Sequence, residues 1–198
     1  MELAAAEISA MIRQERMQVH FIPTSYQIER VAIAHGLRIV SLNECPAPDL
    51  ALDGADEVDE ELNLIKGGGA ALAKEKIVAA AAKRFSVIVD QHKITRQLRR
   101  PVPLEVLPFA HETVTRRVAA IGGRAIVRHG TGKVGPIITD NGNFVLDSDF
   151  GEINDPKSLE NQLNSIPGVV ATGLFVEMTD EAYVGRLDGT VDILKRKI

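Results

Sequence analysis

Acidic residues, a lysine and three glycines lie close together in the segment 53–77 of this 198-residue chain. Asp53 and Asp56 directly follow the apolar run 50–52, which predicts a short buried strand. Ligands of open α/β sheets bind outside the carboxyl ends of the strands, so carboxylates at this position could exchange protons with the hydroxyl groups of a small molecule. Asp-Gly is also a common turn dipeptide, and an exposed connection is an equally good interpretation.

The lysine and the glycines predict a site for an anion. Lys66 precedes Gly67, Gly68 and Gly69, and the sequence predicts a helix over 70–84 that places these glycines at its N-terminus. Free backbone N–H groups and the helix dipole favour a negative charge there, and glycine lets a ligand approach the backbone. Lys66 could neutralise a developing oxyanion, or it could be a surface lysine beside a loop. The glycine spacing matches neither a P-loop nor a dinucleotide fingerprint, which argues against ATP and NAD.

Glu75 is the candidate general base. On a helical wheel Ala73, Ile77 and Val78 belong to the core face, and Glu75 falls beyond its edge, about a turn and a half into the helix. A carboxylate beside an anion site could take a proton from a bound substrate. Spacing alone favours the other interpretation, in which 74–76 is a solvated helix face.

Composition and spacing argue against several kinds of partner. Asp53, Asp56, Glu57 and Asp59 do not follow the EF-hand pattern, so no metal is expected. The formal net charge of −4 gives no reason to expect nucleic acid or an anionic membrane as partner, and no apolar run approaches the length of a membrane span. Cys45 is the single cysteine, which excludes an internal disulfide and favours a reducing cytoplasm.

The apolar pattern predicts an α/β fold with two domains. Short strands alternate with helices over the first hundred residues, which is typical of a Rossmann-like, open, mostly parallel sheet. A helix over 26–34 is among them, and Thr24 and Ser25 could equally cap it or bind a ligand. Between 102 and 176 the order is strand, helix, strand, strand, helix, strand, as in a ferredoxin-like α+β domain. The last two elements are a helix over 156–166, opened by Asp155 with a proline at its first position, and a closing strand over 169–175. We expect a catalytic domain of residues 1–101 plus 177–198, to which a hairpin around Asp188-Gly189 returns, and a smaller domain of residues 102–176.

Short motifs spread over nearly the whole chain form a specific combination. They are Asp53-Gly-Ala-Asp56, Lys66-Gly-Gly-Gly69 followed by Ala-Ala-Leu-Ala-Lys-Glu75-Lys-Ile, Asp90-Gln-His-Lys93, Ile22-Pro-Thr-Ser25, Val102-Pro-Leu-Glu-Val-Leu-Pro108, Thr139-Asp-Asn-Gly-Asn143 and Ile166-Pro-Gly-Val-Val-Ala-Thr-Gly-Leu-Phe175. Together these motifs resemble ribose-5-phosphate isomerase, type A.

The resemblance implies that D-ribose 5-phosphate and D-ribulose 5-phosphate are interconverted without metal, nucleotide or other cofactor, by a homodimer or homotetramer. Glu75 would shuttle a proton between C1 and C2 through a cis-enediolate. Asp53 and Asp56 would bind sugar hydroxyls and assist ring opening, while Lys66 and the glycine amides would stabilise the enediolate oxygens. The substrate-binding residues would be Asp53, Gly54, Ala55, Asp56, Lys66, Gly67, Gly68, Gly69 and Lys93.

The front of the chain departs from the family pattern. Members begin with a helix, a strand and a Gly-Thr-Gly-Ser-Thr turn that wraps the phosphate, and we expect this sequence to start at the helix after that turn. A non-catalytic sugar-phosphate-binding protein on the same fold is therefore the alternative function. A third is acyl-CoA transfer, since related folds use a glutamate nucleophile, but the lysine and aspartates favour an isomerase.

Overall fold

The computed structural model describes residues 2–132 and 134–196, so the predicted domain limits at residues 1 and 198 lie outside the described residues. The helices are α1 Glu2–Glu15, α2 Tyr26–Ala34, α3 Leu72–Ala81, α4 His111–Ala120 and α5 Pro156–Asn164. The strands are β1 His20–Phe21, β2 Arg38–Ile39, β3 Ala51–Asp53, β4 Glu57–Val58, β5 Leu64–Ile65, β6 Phe85–Asp90, β7 Val102–Val106, β8 Arg124–Val127, β9 Phe144–Asp149, β10 Val169–Thr172, β11 Leu174–Phe175, β12 Glu181–Gly185 and β13 Val191–Lys195. No helix in these two ranges is long and apolar enough to cross a membrane.

Several helix ends follow capping signals that are visible in the sequence. Ser25 accepts a hydrogen bond from the Ile28 N–H at the start of α2, which confirms the interpretation of Ser25 as a helix cap. Asp155 accepts one from the Ser158 N–H at 2.9 Å, and α5 then opens with a proline as predicted. A side-chain acceptor satisfies one of the N–H groups that the first helical turn leaves without a partner.

A parallel sheet forms the Rossmann-like part of the molecule, as predicted. Strands β3, β6 and β12 pair in parallel, β13 is antiparallel at one edge, and the order is β13-β12-β6-β3. The predicted hairpin of β12 and β13 does return to this sheet. Phe85, Val87, Val184 and Phe175 are buried in its core. Strands β1 and β2 form a separate parallel pair.

A second, antiparallel sheet has the ferredoxin-like order. Its elements follow the chain as β7, α4, β8, β9, α5 and β10, and the strand order is β10-β7-β9-β8 with antiparallel neighbours. Leu104, Val114, Leu146 and Leu163 belong to its own buried cluster. Most residues of each cluster lie on one side of the predicted division, although Ile65 and Leu98 belong to the second cluster and Phe175 to the first. We propose residues 1–101 plus 177–198 and residues 102–176 as the two domains.

The structure contains a small third sheet that was not predicted, and its presence changes the prediction for one strand. Strands β4, β5 and β11 pair antiparallel in the order β11-β5-β4. The predicted continuous strand 169–175 is wrong, because the chain leaves β7 at Gly173 and continues beside β5. The Gly173 N–H donates to Pro103 O at 2.7 Å, and Gly173 O accepts from the Lys66 N–H at 2.8 Å. The backbone thus changes sheets at a residue without a side chain.

Helix α3 begins later than predicted. It starts at Leu72 instead of residue 70, because Gly67 and Ala70 have positive φ values of 106° and 60°. The Ala70 N–H donates to Gly67 O and closes a turn before the helix. The three glycines therefore belong to this turn, and the prediction that they form the helix N-terminus is wrong.

Helix α3 is also rotated relative to the predicted wheel. Leu72, Ala73 and Ala79 are buried, whereas Ile77, predicted to face the core, is 56% exposed. The helix packs against both β3 and β10. Ion pairs of Glu75 and Lys76 compensate for turning these charged residues inward.

Candidate active site

Asp53, Lys66 and Glu75 meet at the carboxyl end of β3. The Lys66 ammonium lies 3.0 Å from Asp53 Oδ2 and 3.1 Å from Glu75 Oε2. It also donates a hydrogen bond of 2.6 Å to Gly54 O. Asp53 ends β3, Lys66 follows β5, and Glu75 lies in the first turn of α3, so three elements converge on one ammonium group. We call these three residues the ionic triad.

The charges of the ionic triad interact strongly because their side chains are largely buried. The Lys66 side chain is 4% exposed, while those of Asp53 and Glu75 are 18% and 15% exposed. The ammonium also lies 5.5 Å from the centre of the Phe175 ring. A charge removed from water in this way needs close partners, since solvation is lost. Two carboxylates and one ammonium leave the triad with a net negative charge when all three are ionised.

Glu75 and Lys66 shift each other's pKa values. Burial raises the pKa of the Glu75 carboxyl, Lys66 counteracts this, and the charge of Asp53 adds to the rise, so the pKa lies above its ordinary value. Burial alone would lower the pKa of Lys66, but Asp53 and Glu75 together outweigh it and raise that pKa. Glu75 is thus easier to protonate than an exposed glutamate, and Lys66 stays charged.

The second carboxylate of the motif, Asp56, holds the glycine turn. Asp56 Oδ2 accepts a hydrogen bond of 2.8 Å from the Gly68 N–H. A Cβ on Gly68 would lie 2.8 Å from Asp56 Oδ1, so no larger residue fits without movement. The neighbouring Glu57 is buried and accepts N–H bonds from Arg99 and Arg100 at 2.7 and 2.9 Å, which fixes this segment against the chain that enters β7.

Lys93 is not part of the ionic triad. It ends the 3₁₀ turn Gln91–Lys93 that follows β6, the strand next to β3. Asp90 caps that turn by accepting from the His92 N–H at 2.9 Å. Lys93 therefore lies at the same edge of the sheet as Asp53. Its role in binding substrate stays a prediction.

The interpretation of 74–76 as a solvated helix face is wrong for two of its three residues. Glu75 belongs to the ionic triad, and Lys76 is 18% exposed. The Lys76 ammonium lies 2.6 Å from Glu160 Oε1 and 2.6 Å from Leu174 O, so it connects α3 to α5 and β11. Burial lowers the pKa of Lys76, and Glu160 counteracts that shift.

Sequence reasoning missed Arg128 and Gly173. Arg128 follows β8 and donates hydrogen bonds to the carbonyl groups of Gly67 and Gly68, more than fifty positions earlier. Gly173 supplies the carbonyl that holds the Lys66 backbone. Neither residue lies near segment 53–77 in the sequence, and no spacing rule connects them to it. Within the two described ranges, no group of three His, Cys, Asp or Glu side chains is placed to hold a metal ion.

The α/β fold holds two carboxylates and an ammonium group at the end of a parallel strand, an arrangement suited to an enzyme that uses acid–base chemistry. The family described as "Ribose 5-phosphate isomerase A (phosphoriboisomerase A)" matches residues 20–189. The chain therefore belongs to the ribose 5-phosphate isomerase A family, as the motifs predicted.

Individual relatives agree with this assignment. "Ribose-5-phosphate isomerase A" of Methanosarcina acetivorans is 48% identical over 191 residues, which cover 96% of this chain and 81% of the relative. The solved structure of ribose 5-phosphate isomerase A from Methanocaldococcus jannaschii is 43% identical, with a TM-score of 0.93 over 98% of this chain and 86% of that one. A D-ribose-5-phosphate isomerase in complex with phospho-erythronic acid has a TM-score of 0.93 at 42% identity and covers 97% of this chain and 85% of that one. The alternative of a non-catalytic binding protein has no support among these relatives.

Proposed function

We propose that this chain interconverts D-ribose 5-phosphate and D-ribulose 5-phosphate through a cis-enediolate, with Glu75 as the general base. Membership of a family of pentose phosphate isomerases supports the reaction. The observation that carries the assignment of the base is the buried Glu75 carboxylate, 3.1 Å from the Lys66 ammonium at the strand edge. This activity is consistent with a place in the pentose phosphate pathway.

The reaction needs one base that serves two neighbouring carbons. In the open-chain aldose, Glu75 takes the proton from C2 and negative charge develops on O1 of the enediolate. The proton then passes from Glu75 to C1, while the hydroxyl proton of O2 moves to O1, and the ketose results. General-base help of this kind contributes roughly 10²–10⁴-fold. A base with a raised pKa is suited to this task, because it must accept and then return the proton near neutral pH.

The remaining site residues act on oxygen atoms. We assign to Lys66 and to the amides of the turn Gly67–Gly69 the stabilisation of the developing charge on the enediolate oxygens. Asp53 and Asp56 bind sugar hydroxyls, with Gly54 and Ala55 between them, and assist opening of the ring. Lys93, at the same sheet edge, contributes to binding of the phosphorylated substrate.

Replacing Glu75 by glutamine tests the assignment. Glu75→Gln keeps the shape of the side chain and removes the base, so we expect kcat to fall by about 10²–10⁴-fold, with ribulose 5-phosphate formation followed directly. Glu112→Gln, at an exposed glutamate in the first turn of α4, is the matched control and should leave kcat unchanged. Wild-type turnover by Glu75→Gln would contradict the assignment. Binding of ribose 5-phosphate by the wild-type chain without turnover above Glu75→Gln would remove the isomerase function itself.

We also propose a homodimer or homotetramer located in the cytoplasm. The family resemblance supports the assembly, and the single cysteine, Cys45, supports a reducing compartment. Sedimentation equilibrium of the purified chain measures the assembly, and a monomer at micromolar concentration would contradict it.

A further inference from the structure

Arg128 is the one arginine described in contact with the glycine turn, and it reaches the turn from the ferredoxin-like sheet. Its Nη1 group donates to Gly67 O at 2.8 Å and to Gly68 O at 3.0 Å. The Arg128 side chain is 16% exposed, so the guanidinium itself is largely shielded from water. Hydrogen bonds from a charged donor are stronger than neutral ones, and shielding increases their strength.

Asp147 fixes the orientation of this guanidinium. Arg128 Nε donates to Asp147 Oδ2 at 2.8 Å, and Nη2 lies 2.5 Å from Asp147 Oδ1. Arg128 directly follows β8 and Asp147 belongs to its antiparallel neighbour β9, and the Arg128 N–H donates to Val145 O at 2.8 Å. A two-point contact between planar groups leaves the guanidinium little freedom to rotate. Its remaining nitrogen is thus held in place toward the glycine turn.

The carbonyl bonds determine where the amides of the turn point. The described chain contains no cis peptide bond, and in a planar trans peptide the C=O and the next N–H point in opposite directions. The Gly67 C=O faces Arg128, and the Gly68 N–H accordingly faces Asp56, with which it bonds at 2.8 Å. By the same geometry the Gly69 N–H points away from Arg128. Gly68 and Gly69 are exposed, so a ligand can reach them.

The glycine turn needs the hydrogen bonds from Arg128 to hold its peptide groups in one orientation. Gly67 has a φ of +106°, and Gly68 and Gly69 lack side chains that would limit rotation of their peptides. Peptide groups between glycines have more accessible orientations than others, so an unrestrained turn would spread its N–H groups over several directions. Donors aimed at a developing charge are effective only when they are oriented before the reaction.

We propose that Arg128, held by Asp147, is a positioning residue that aligns the Gly69 amide for the enediolate oxygens. Its bond to Gly68 O orients that amide, and its bond to Gly67 O keeps the Gly68 amide on Asp56. This inference rests on the proposed isomerase function, because the charge to be stabilised arises in that reaction. Arg128 acts through the two peptide groups and belongs to the ferredoxin-like part of the chain. The antiparallel sheet therefore contributes directly to the geometry of the site at the end of the parallel sheet.

The proposal can be tested by comparing the kinetics of variants at Arg128 and at a control arginine, Arg124. Arg128→Ala should lower kcat by about 10–10²-fold, the size of effect that a misplacement of about 1 Å produces, and should change KM for ribose 5-phosphate little. Arg124→Ala, at the exposed first residue of β8, is the matched control and should retain wild-type kcat. Arg128→Lys keeps one charged donor group, so its kcat should lie between that of Arg128→Ala and that of the wild type. Wild-type kcat in Arg128→Ala would overturn the proposal, provided that the wild-type chain is active and Glu75→Gln is not.

Binding of phospho-erythronic acid, the ligand in one related structure, tests the alignment independently of turnover, in variants whose fold is checked by circular dichroism. Its planar carboxylate resembles the enediolate more closely than the sugar does. Affinity measured by calorimetry should fall in Arg128→Ala by the same factor as kcat/KM, since both depend on the aligned amide. Unchanged affinity in folded Arg128→Ala would overturn the proposal. Asp147→Asn keeps the shape of the side chain but weakens its hold on the Arg128 guanidinium. It should therefore lower both kcat and the affinity for phospho-erythronic acid. Wild-type values of both in Asp147→Asn would also contradict the proposal.

Discussion

Lys66 has two roles that alternate during the proposed reaction. In the resting site its ammonium is balanced by Asp53 and Glu75 at 3.0 and 3.1 Å. When Glu75 takes up the proton from carbon, its carboxylate becomes neutral and the ammonium loses one partner. Negative charge appears on the enediolate at the same moment, and Lys66 can pair with it instead. The positive charge thus stays compensated without leaving its buried position.

Removing Lys66 and removing Asp53 should shift the pH dependence of the reaction in opposite directions. Lys66 lowers the pKa of Glu75 and Asp53 raises it, so Lys66→Met should move the acid limb of kcat/KM to higher pH and Asp53→Asn should move it to lower pH. Below the limb Glu75 is protonated and cannot act as base. Lys66→Met should also reduce the maximal kcat by about 10²–10³-fold.

The pH–rate profile of each variant checks these directions. Lys83→Met removes an exposed ammonium that pairs with Asp49 and should leave the profile unchanged. An acid limb that moves to lower pH in Lys66→Met would contradict the assignment of Glu75 as the titrating base.

Among the elements, the crossing at Gly173 determines where Lys66 is held. A Cβ at this position would lie 2.3 Å from Lys66 O and 2.8 Å from Pro103 Cδ. Gly173→Ala should therefore push β5 and β7 apart, reduce the free energy of unfolding by about 1–3 kcal/mol and lower kcat through displacement of the Lys66 ammonium. Urea unfolding and initial rates measure the two effects. Gly132→Ala, where a Cβ meets open space, is the control, and equal results for both variants would contradict the prediction.

The turn between β8 and β9 is fixed to β7 by a buried carboxylate. Glu105 is fully buried, and its Oε1 accepts three hydrogen bonds of 2.8–2.9 Å from Thr139, Asn141 and Asn143. Its Oε2 is buried without a hydrogen-bond partner in the described chain. The carboxylate thus holds a whole turn through one oxygen.

This arrangement predicts a difference between two substitutions. Glu105→Ala leaves buried donors without an acceptor and should cost about 2–4 kcal/mol of unfolding free energy. Glu105→Gln keeps one carbonyl oxygen for the same donors and removes the buried charge, so its cost should stay within about 1 kcal/mol. Denaturant unfolding measures both, with the exposed Glu112→Ala as control. Equal losses for Ala and Gln would show that the charge, and not the acceptor, holds the turn.

At the scale of the molecule, polar contacts connect two separate hydrophobic cores. Lys76 joins α3 to Glu160 on α5, and Arg128 joins the antiparallel sheet to the glycine turn. The Lys66 N–H bond to Gly173 O adds a backbone contact. These contacts cross the boundary that we propose between the two domains, at the site itself.

We expect the two cores to unfold in one transition. Opening of either core would expose the buried ends of these contacts, and unpaired buried charges are costly. Hydrogen exchange of the Val87 and Leu104 amides, one from each core, should give similar protection free energies. Urea unfolding that separates into two transitions would contradict this coupling.

Most helices and strands, the family and the candidate site residues could be predicted from the sequence alone. Periodicity and capping predicted α2 and α5 closely, and the motifs around Asp53 and Glu75 predicted the family. Both kinds of inference depend on local order along the chain, where helix periods and strand ends are directly visible.

The pairing of the buried charges could not be predicted, because it depends on how distant elements pack. The rotation of α3 that exposes Ile77 and buries Glu75, the break of the last strand at Gly173, and the reach of Arg128 to the glycine turn all depend on contacts between distant segments. Helical spacing cannot distinguish a solvated glutamate from one that faces a buried ammonium, because the difference lies in the neighbouring elements. The sequence therefore predicted the base as a candidate, and packing placed it 3.1 Å from Lys66.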